Sequence, residues 1–105
     1  MNKFQKVNDN EEFEILRSID KKPNTTQREL ANDLGFSVGK LNYCLRALKL
    51  KGLVKIDNFR NNPSKFSYVY VLTPAGITKK TKLTINFMKR KMLEYEDLQR
   101  ELNDK

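Results

Sequence analysis

Between Ser37 and Arg46 the sequence reads SVGKLNYCLR, and its polar residues are of the types that read nucleic acid. Asparagine can pair bidentately with adenine, and arginine or lysine with guanine or a phosphate. If this stretch is helical with Leu41, Leu45 and Leu48 inward, then Ser37, Gly39, Lys40, Asn42, Tyr43 and Arg46 fall outward or on the flanks. An α-helix so dressed fits the major groove, and Gly39 lets it come close. Gln27 and Arg28 open the preceding helix, where a side chain and backbone amides can meet a phosphate. Further on, Arg60 and Lys65 flank a turn, placed to enter a minor groove with a preference for a narrow A·T-rich stretch. Plainer alternatives stand beside these roles. Tyr43 can simply pack over its helix. Arg60 and Lys65 can simply guard an edge hairpin against aggregation. Asn42 lowers helix propensity without a structural gain, which favours a contact role. Cys44 shares the face of Leu41 and Leu48, so it reads as a buried small hydrophobe rather than a redox sensor.

The composition narrows the rest. The 105 residues make one small domain, or one domain plus an arm, and can bury roughly 65% of the unfolded surface. There is no histidine and one cysteine. That removes Ser-His-Asp and Cys-His catalysis, an internal disulfide and a cysteine-based zinc site. With no phosphate-cradling glycine loop either, the expectation is a protein that is not an enzyme and holds no metal or cofactor. No apolar run approaches the ~18 residues of a membrane span, and no signal-peptide core follows Met1. These features predict a soluble, cytoplasmic protein with no membrane partner. The net charge of +8 is uneven. Residues 35–92 carry thirteen basic side chains against one acidic, Asp57, while the segments on either side are net acidic. Such a field draws in a polyanion, and double-stranded DNA is the expected partner.

The elements that must position these residues follow from caps and periodicity. Asp9 or Asn10 is expected to cap a first helix with Phe13, Ile15, Leu16 and Ile19 as its stripe, ended by Lys21-Lys22-Pro23. Thr26-Gln27-Arg28-Glu29 is a capping-box pattern opening a second helix that Gly35 breaks. Ser37 caps a third, running to about Lys51, and Gly52 stops it. Leu53–Arg60 and Ser67–Thr73 read as strands, with Asn61-Asn62-Pro63-Ser64 as the turn between them. Thr73-Pro74 starts a last helix that can run to about Asn103. Within the second and third helices, Ala31, Gly35 and Leu41 have the spacing a helix-turn-helix needs: a small residue at the approach, glycine in the turn, an apolar plug on the second helix. The predicted fold is mainly α with a β-hairpin wing, a winged helix-turn-helix plus a long C-terminal dimerisation helix. Residues 1–8 are a loose lead-in, 9–76 the DNA-binding domain, and 77–105 a coiled-coil-like arm.

The strings TQRELANDLG, LKLKGLV and LTPAGI resemble the MarR-type winged-helix transcriptional regulators. SVGKLNYCLRALKLKGLVKIDNFRNN, YVYVLTPAGI and KKTKLTINFMKRKMLEYEDL are similar to a smaller branch, the exopolysaccharide-associated MarR-type regulators of bacteria. The resemblance runs from about Glu11 to Glu101. It implies a bacterial DNA-binding regulator linked to polysaccharide biosynthesis genes. Larger MarR-type regulators enclose an effector pocket between additional dimerisation helices. Here one helix follows the wing, and no residue points to a small-molecule effector.

A helix over residues 74–103 would be about 45 Å long, more than a compact domain of this size spans. Ile77, Leu83, Ile85, Phe87 and Met88 are expected to dock its first half. Met88, Met92, Tyr95, Leu98 and Leu102 continue an apolar seam in three- and four-residue steps, which predicts a homodimer. The alternative is a solvated tail, since two to three heptads are marginal. A two-fold dimer would bind an inverted repeat with half-sites one helical turn apart, or a multiple of it. Two other classes of function compete: a winged-helix module docking on a protein, and an RNA-binding or antitermination factor. The first has no need of the basic middle segment. The second needs exposed aromatics for stacking, and Tyr68 and Tyr70 are more simply strand packing residues.

Overall fold

The computed structural model describes residues 7–22, 24–57 and 68–104. In order these form α1 (Asp9–Lys21), α2 (Gln27–Leu34), α3 (Val38–Leu50), β1 (Val54–Asp57), β2 (Val69–Leu72) and α4 (Pro74–Asn103).

Each helix begins on a side-chain oxygen. The cap of α1 is Asn8, one residue before the expected Asp9 or Asn10; its Oδ1 accepts the Glu11 N–H at 2.8 Å. That shift places Asp9, Glu11 and Glu12 in the first turn, where the helix dipole favours negative charge. The capping box of α2 closes in both directions: the Glu29 N–H donates to Thr26 Oγ1 at 3.1 Å, and the Thr26 N–H donates to Glu29 Oε1 at 2.9 Å. Gly35 ends α2 with φ of 71°, a left-handed conformation that glycine adopts without a Cβ clash. Ser37 caps α3, accepting the Lys40 N–H. The Leu53 N–H returns to the Leu48 carbonyl at 3.0 Å across Gly52, a Schellman-type stop.

Leu53, Tyr68 and Thr73 fall outside the two strands, and the expected strand ends at Arg60 and Ser67 lie outside the described residues. The strands pair antiparallel with Val54 opposite Leu72 and Asp57 opposite Val69. A bridge from Thr26 to Val69 fastens the start of α2 to the outer side of β2. The expected turn, with Arg60 and Lys65 beside it, lies outside the described residues.

One core joins these elements. Ile15, Leu16 and Ile19 of α1 meet Leu30 and Ala31 of α2, then Leu41, Cys44, Leu45 and Leu48 of α3, with Val54 and Tyr70 closing from the strands. α4 starts on the Thr73 hydroxyl with Pro74 at its first position. Its contact with the core is narrower than expected. Leu83 is buried and Phe87 is half-buried against Phe13, ring centroids 5.3 Å apart. Ile77, Ile85 and Met88, which the sequence assigned to docking, are exposed instead. Leu83 and Phe87 lie four residues apart on one stripe, and the other three fall roughly a third of a turn or more away. The remainder of α4 projects, giving overall dimensions of 63 × 34 × 23 Å. No helix among the described residues is long and apolar enough to cross a membrane.

Candidate nucleic-acid interface

α2 and α3 pack on each other across the Gly35 turn, and α3 turns its four buried residues, Leu41, Cys44, Leu45 and Leu48, into the shared core. The opposite face is set by the same periodicity. Gly39, Tyr43 and Arg46 look outward, with Tyr43 37% exposed. A Cβ built on Gly39 would meet nothing within 4 Å, so nothing in the fold calls for glycine there. Ser37 and Arg28 are also exposed.

The flanks of α3 differ. Lys40 points toward α1, where its Nζ lies 2.6 Å from Glu11 Oε2 and 4.5 Å over the Phe36 ring. The hydrogen bond to Glu11 raises the Lys40 pKa above its ordinary value, so Lys40 stays charged and tied back. On the other flank Asn42, Arg46 and Lys49 follow each other at four- and three-residue steps. They line a cleft of about 280 Å³ shared with Gln27, Leu45, Ile56, Tyr68 and Tyr70. Lys49 was not singled out from the sequence, although its helical spacing from Asn42 and Arg46 was visible there.

Gln27 corrects one expectation. Its side chain has no exposed surface, and its backbone N–H is bound to the Tyr68 carbonyl at 3.2 Å. The N–H groups of Thr26 and Glu29 are likewise engaged in the capping box. The start of α2 therefore does not offer these groups to a phosphate. The reason is the Thr26–Val69 bridge, which lays β2 over this end of the helix.

Two ionisable core groups sit beneath the interface. Burial raises the Cys44 thiol pKa, with the Glu11 charge adding to it, so the thiolate is disfavoured at a position only 2% exposed. Burial likewise raises the Tyr70 phenol, with Tyr68 adding to it. Glu12 is a buried carboxylate that the sequence placed only in the first turn of α1. It lies 3.0 Å from Lys51 Nζ and 3.7 Å from Lys79 Nζ, joining α1 to the end of α3 and to α4. A second depression, of about 250 Å³, lies between α1 and α4 and is lined by Phe13, Arg17, Lys21, Lys80, Thr84 and Phe87. There Lys80 is paired with Asp20 at 2.7 Å, and Arg17 lies over the Phe13 ring.

Residues 11–55 match the family described as Winged helix-turn-helix DNA-binding, a span that holds α1, α2, α3 and the start of β1. No curated protein matches the chain. Solved structures do. Staphylococcus aureus MarR in complex with salicylate and kanamycin is 22% identical, with a TM-score of 0.72 over 82% of this chain and 56% of that one. The transcriptional repressor CouR, bound to a 23-mer DNA duplex, is 25% identical, with a TM-score of 0.69 over 82% of this chain and 59% of that one. S. aureus MepR in a DNA complex is 22% identical, with a TM-score of 0.67 over 90% of this chain and 71% of that one. The chain thus spans little more than half the length of the first two. Element order, antiparallel strand pair and structural likeness together make this a winged helix-turn-helix fold, extended by a long C-terminal helix.

Proposed function

We propose that the protein is a sequence-specific, dimeric DNA-binding transcriptional regulator that places α3 in the major groove and the β1–β2 wing on the minor groove or backbone. The observation that carries this reading is the outward face of α3. A helix-turn-helix core holds it rigidly, and it presents Gly39, Asn42, Tyr43 and Arg46 from within a strongly basic segment. Glycine costs up to about 1 kcal/mol relative to alanine in a helix interior, and less in the first turn where Gly39 lies. At Gly39 no packing offsets that cost, and close approach to a duplex supplies a reason for it. That CouR and MepR, two structural neighbours, are seen in complex with DNA supports DNA binding. Arg60 and Lys65 remain the candidates for the wing contact, and Ser37 and Arg28 for phosphates. Lys40 would need to leave Glu11 to reach DNA, and Lys49 takes its place beside Asn42 and Arg46.

The partner for α4 is a second copy of the chain. Met88, Met92, Tyr95 and Leu102 are each more than half exposed on the projecting half, and Ile85 precedes them in the same register. The steps 85, 88, 92, 95, 99, 102 alternate three and four, which is a coiled-coil seam. This replaces Leu98 by Gln99, whose Nε2 donates to Tyr95 Oη at 3.3 Å. Lys89-Arg90-Lys91 is followed by Glu94, Glu96 and Asp97, so two antiparallel copies would set basic opposite acidic. The link to exopolysaccharide genes rests on the resemblance of the sequence.

Hydroxyl-radical footprinting over the control region of the protein's own gene tests the reading. The expected result is two protected patches related by two-fold symmetry and one helical turn apart, or a multiple of it. Uniform or absent protection would overturn it. Comparing transcripts with and without the gene checks the polysaccharide link: exopolysaccharide biosynthesis messages should change, and unchanged messages would remove it.

A further inference from the structure

Glu11 and Lys40 come from segments of opposite charge, and the fold brings them together. Glu11 lies in the acidic first turn of α1 with Asp9 and Glu12. Lys40 lies in the first turn of α3, next to Gly39 and inside the basic segment. The Glu11 backbone is fixed, because its N–H donates to Asn8 Oδ1 at 2.8 Å. Its carboxylate is turned to α3 and only 24% exposed, with Oε2 2.6 Å from Lys40 Nζ. The Lys40 backbone is fixed as well, since its N–H donates to Ser37 Oγ at 3.1 Å. Its ammonium also sits 4.5 Å over the Phe36 ring, so two contacts hold it. The Lys40 side chain is nevertheless 47% exposed. An ion pair so open to water is weak, and a phosphate can compete for the ammonium. The stem of Lys40 starts one residue from Gly39, beside the face of α3 proposed to approach a duplex. A lysine that reaches a phosphate releases a counterion and strengthens binding to any sequence.

We propose that Glu11 is a positioning residue that withholds the Lys40 ammonium from DNA phosphates and so holds down sequence-independent binding. The inference rests on the DNA-binding reading above. Two effects combine. The carboxylate neutralises the ammonium where α3 meets the duplex. A phosphate that takes Lys40 away also leaves the Glu11 charge uncompensated close to the DNA backbone. Sequence-independent affinity comes almost wholly from phosphate contacts, so withdrawing one lowers it for every duplex. Asn42, Arg46 and Lys49 lie on the other flank of α3, along the cleft shared with β2, and base reading there is left alone. Glu11 touches neither base nor phosphate; it acts through Lys40.

Titrations of the full chain on a random-sequence duplex, over a series of salt concentrations, test this. The variants are Glu11→Gln, Glu11→Ala, Lys40→Ala and the Glu11→Gln/Lys40→Ala double variant. Glu14→Gln is the control, since it removes the same charge from an exposed position of α1. Glu11→Gln should bind about threefold to fivefold tighter than wild type, the range set by the strength of an exposed ion pair. Its plot of log affinity against log salt should steepen by about 0.9, the value of one added phosphate contact. Glu11→Ala should repeat both changes, and Glu14→Gln should show neither. Lys40→Ala should cost less than about twofold in the wild-type background, yet undo the whole gain of Glu11→Gln. Thermal melts of the same preparations separate folding from binding. The proposal is overturned if both Glu11 variants melt lower but bind as wild type does, since that marks a residue that only supports α1. It is also overturned if the gain survives Lys40→Ala, or if Glu14→Gln gains as much. No binding of the wild-type chain to any duplex at low salt overturns the DNA-binding reading itself, and this inference with it.

Discussion

Asn42 and Arg46 stand one helical turn apart on α3, and their value lies in what each can distinguish. A bidentate pairing to a base is worth about 1–3 kcal/mol of discrimination. Asn42→Ala and Arg46→Ala should therefore each relax preference at one base position by roughly tenfold, with little change in binding to unrelated duplex. Competition titrations with single-base variants of the operator measure this; a uniform loss across all sequences would reassign both side chains to phosphates. Gly39 gives a sharper separation. Replacing it by alanine should raise stability slightly, by no more than about 0.5 kcal/mol at this first-turn position, because the helix gains propensity and the new methyl meets open space. The same change should weaken operator binding, since on the proposed docking of α3 the methyl faces the duplex. Thermal melts and binding titrations on one preparation check both signs. The outward residues were legible because a 3.6-residue period over Leu41, Leu45 and Leu48 fixes the opposite face. Gln27 and Glu12 were not. Their burial depends on β2 and on Lys51 and Lys79, which reach them from elsewhere in the chain.

At the scale of elements, local chemistry specified where helices begin and end. The capping box at Thr26, the left-handed Gly35 and Thr73-Pro74 were each visible as short patterns. The shift of the α1 cap to Asn8 shows the limit, since Asn8, Asp9 and Asn10 are all good caps and tertiary packing chooses among them. A long-range contact was also hidden. Gly76 lies in the first turn of α4, and a Cβ there would collide with the Leu53 backbone carbonyl. That carbonyl is fixed because it also accepts the Thr73 N–H at 3.1 Å. Gly76→Ala should therefore destabilise the fold by about 1–3 kcal/mol through overpacking at the junction of wing and arm. Urea denaturation would show the midpoint falling. An unchanged midpoint would mean that the α4 start shifts freely and that the junction is not tight.

The whole molecule is a small core with a helix too long for it. Docking ends near Phe87, and beyond it the described residues of α4 are exposed. The sequence showed that the helix must project, from its length alone. It misassigned Ile77, Ile85 and Met88, because apolar residues on two sides of a helix do not say which side meets its own domain. Truncation after Lys91 removes most of the seam while leaving Leu83 and Phe87 in place. It should leave the fold intact, halve the solution mass and weaken operator binding; equal mass for truncated and full-length protein would defeat the dimer. The central claim is that this fold reads DNA sequence. Its most direct test is a fluorescence-anisotropy titration of the full chain against the duplex upstream of its own gene, beside a scrambled duplex, at about 50 and 200 mM salt. The account predicts tighter binding to the native duplex, weakened about a hundredfold or more by the higher salt. Equal affinity for both duplexes, or no binding to either at low salt, would contradict it.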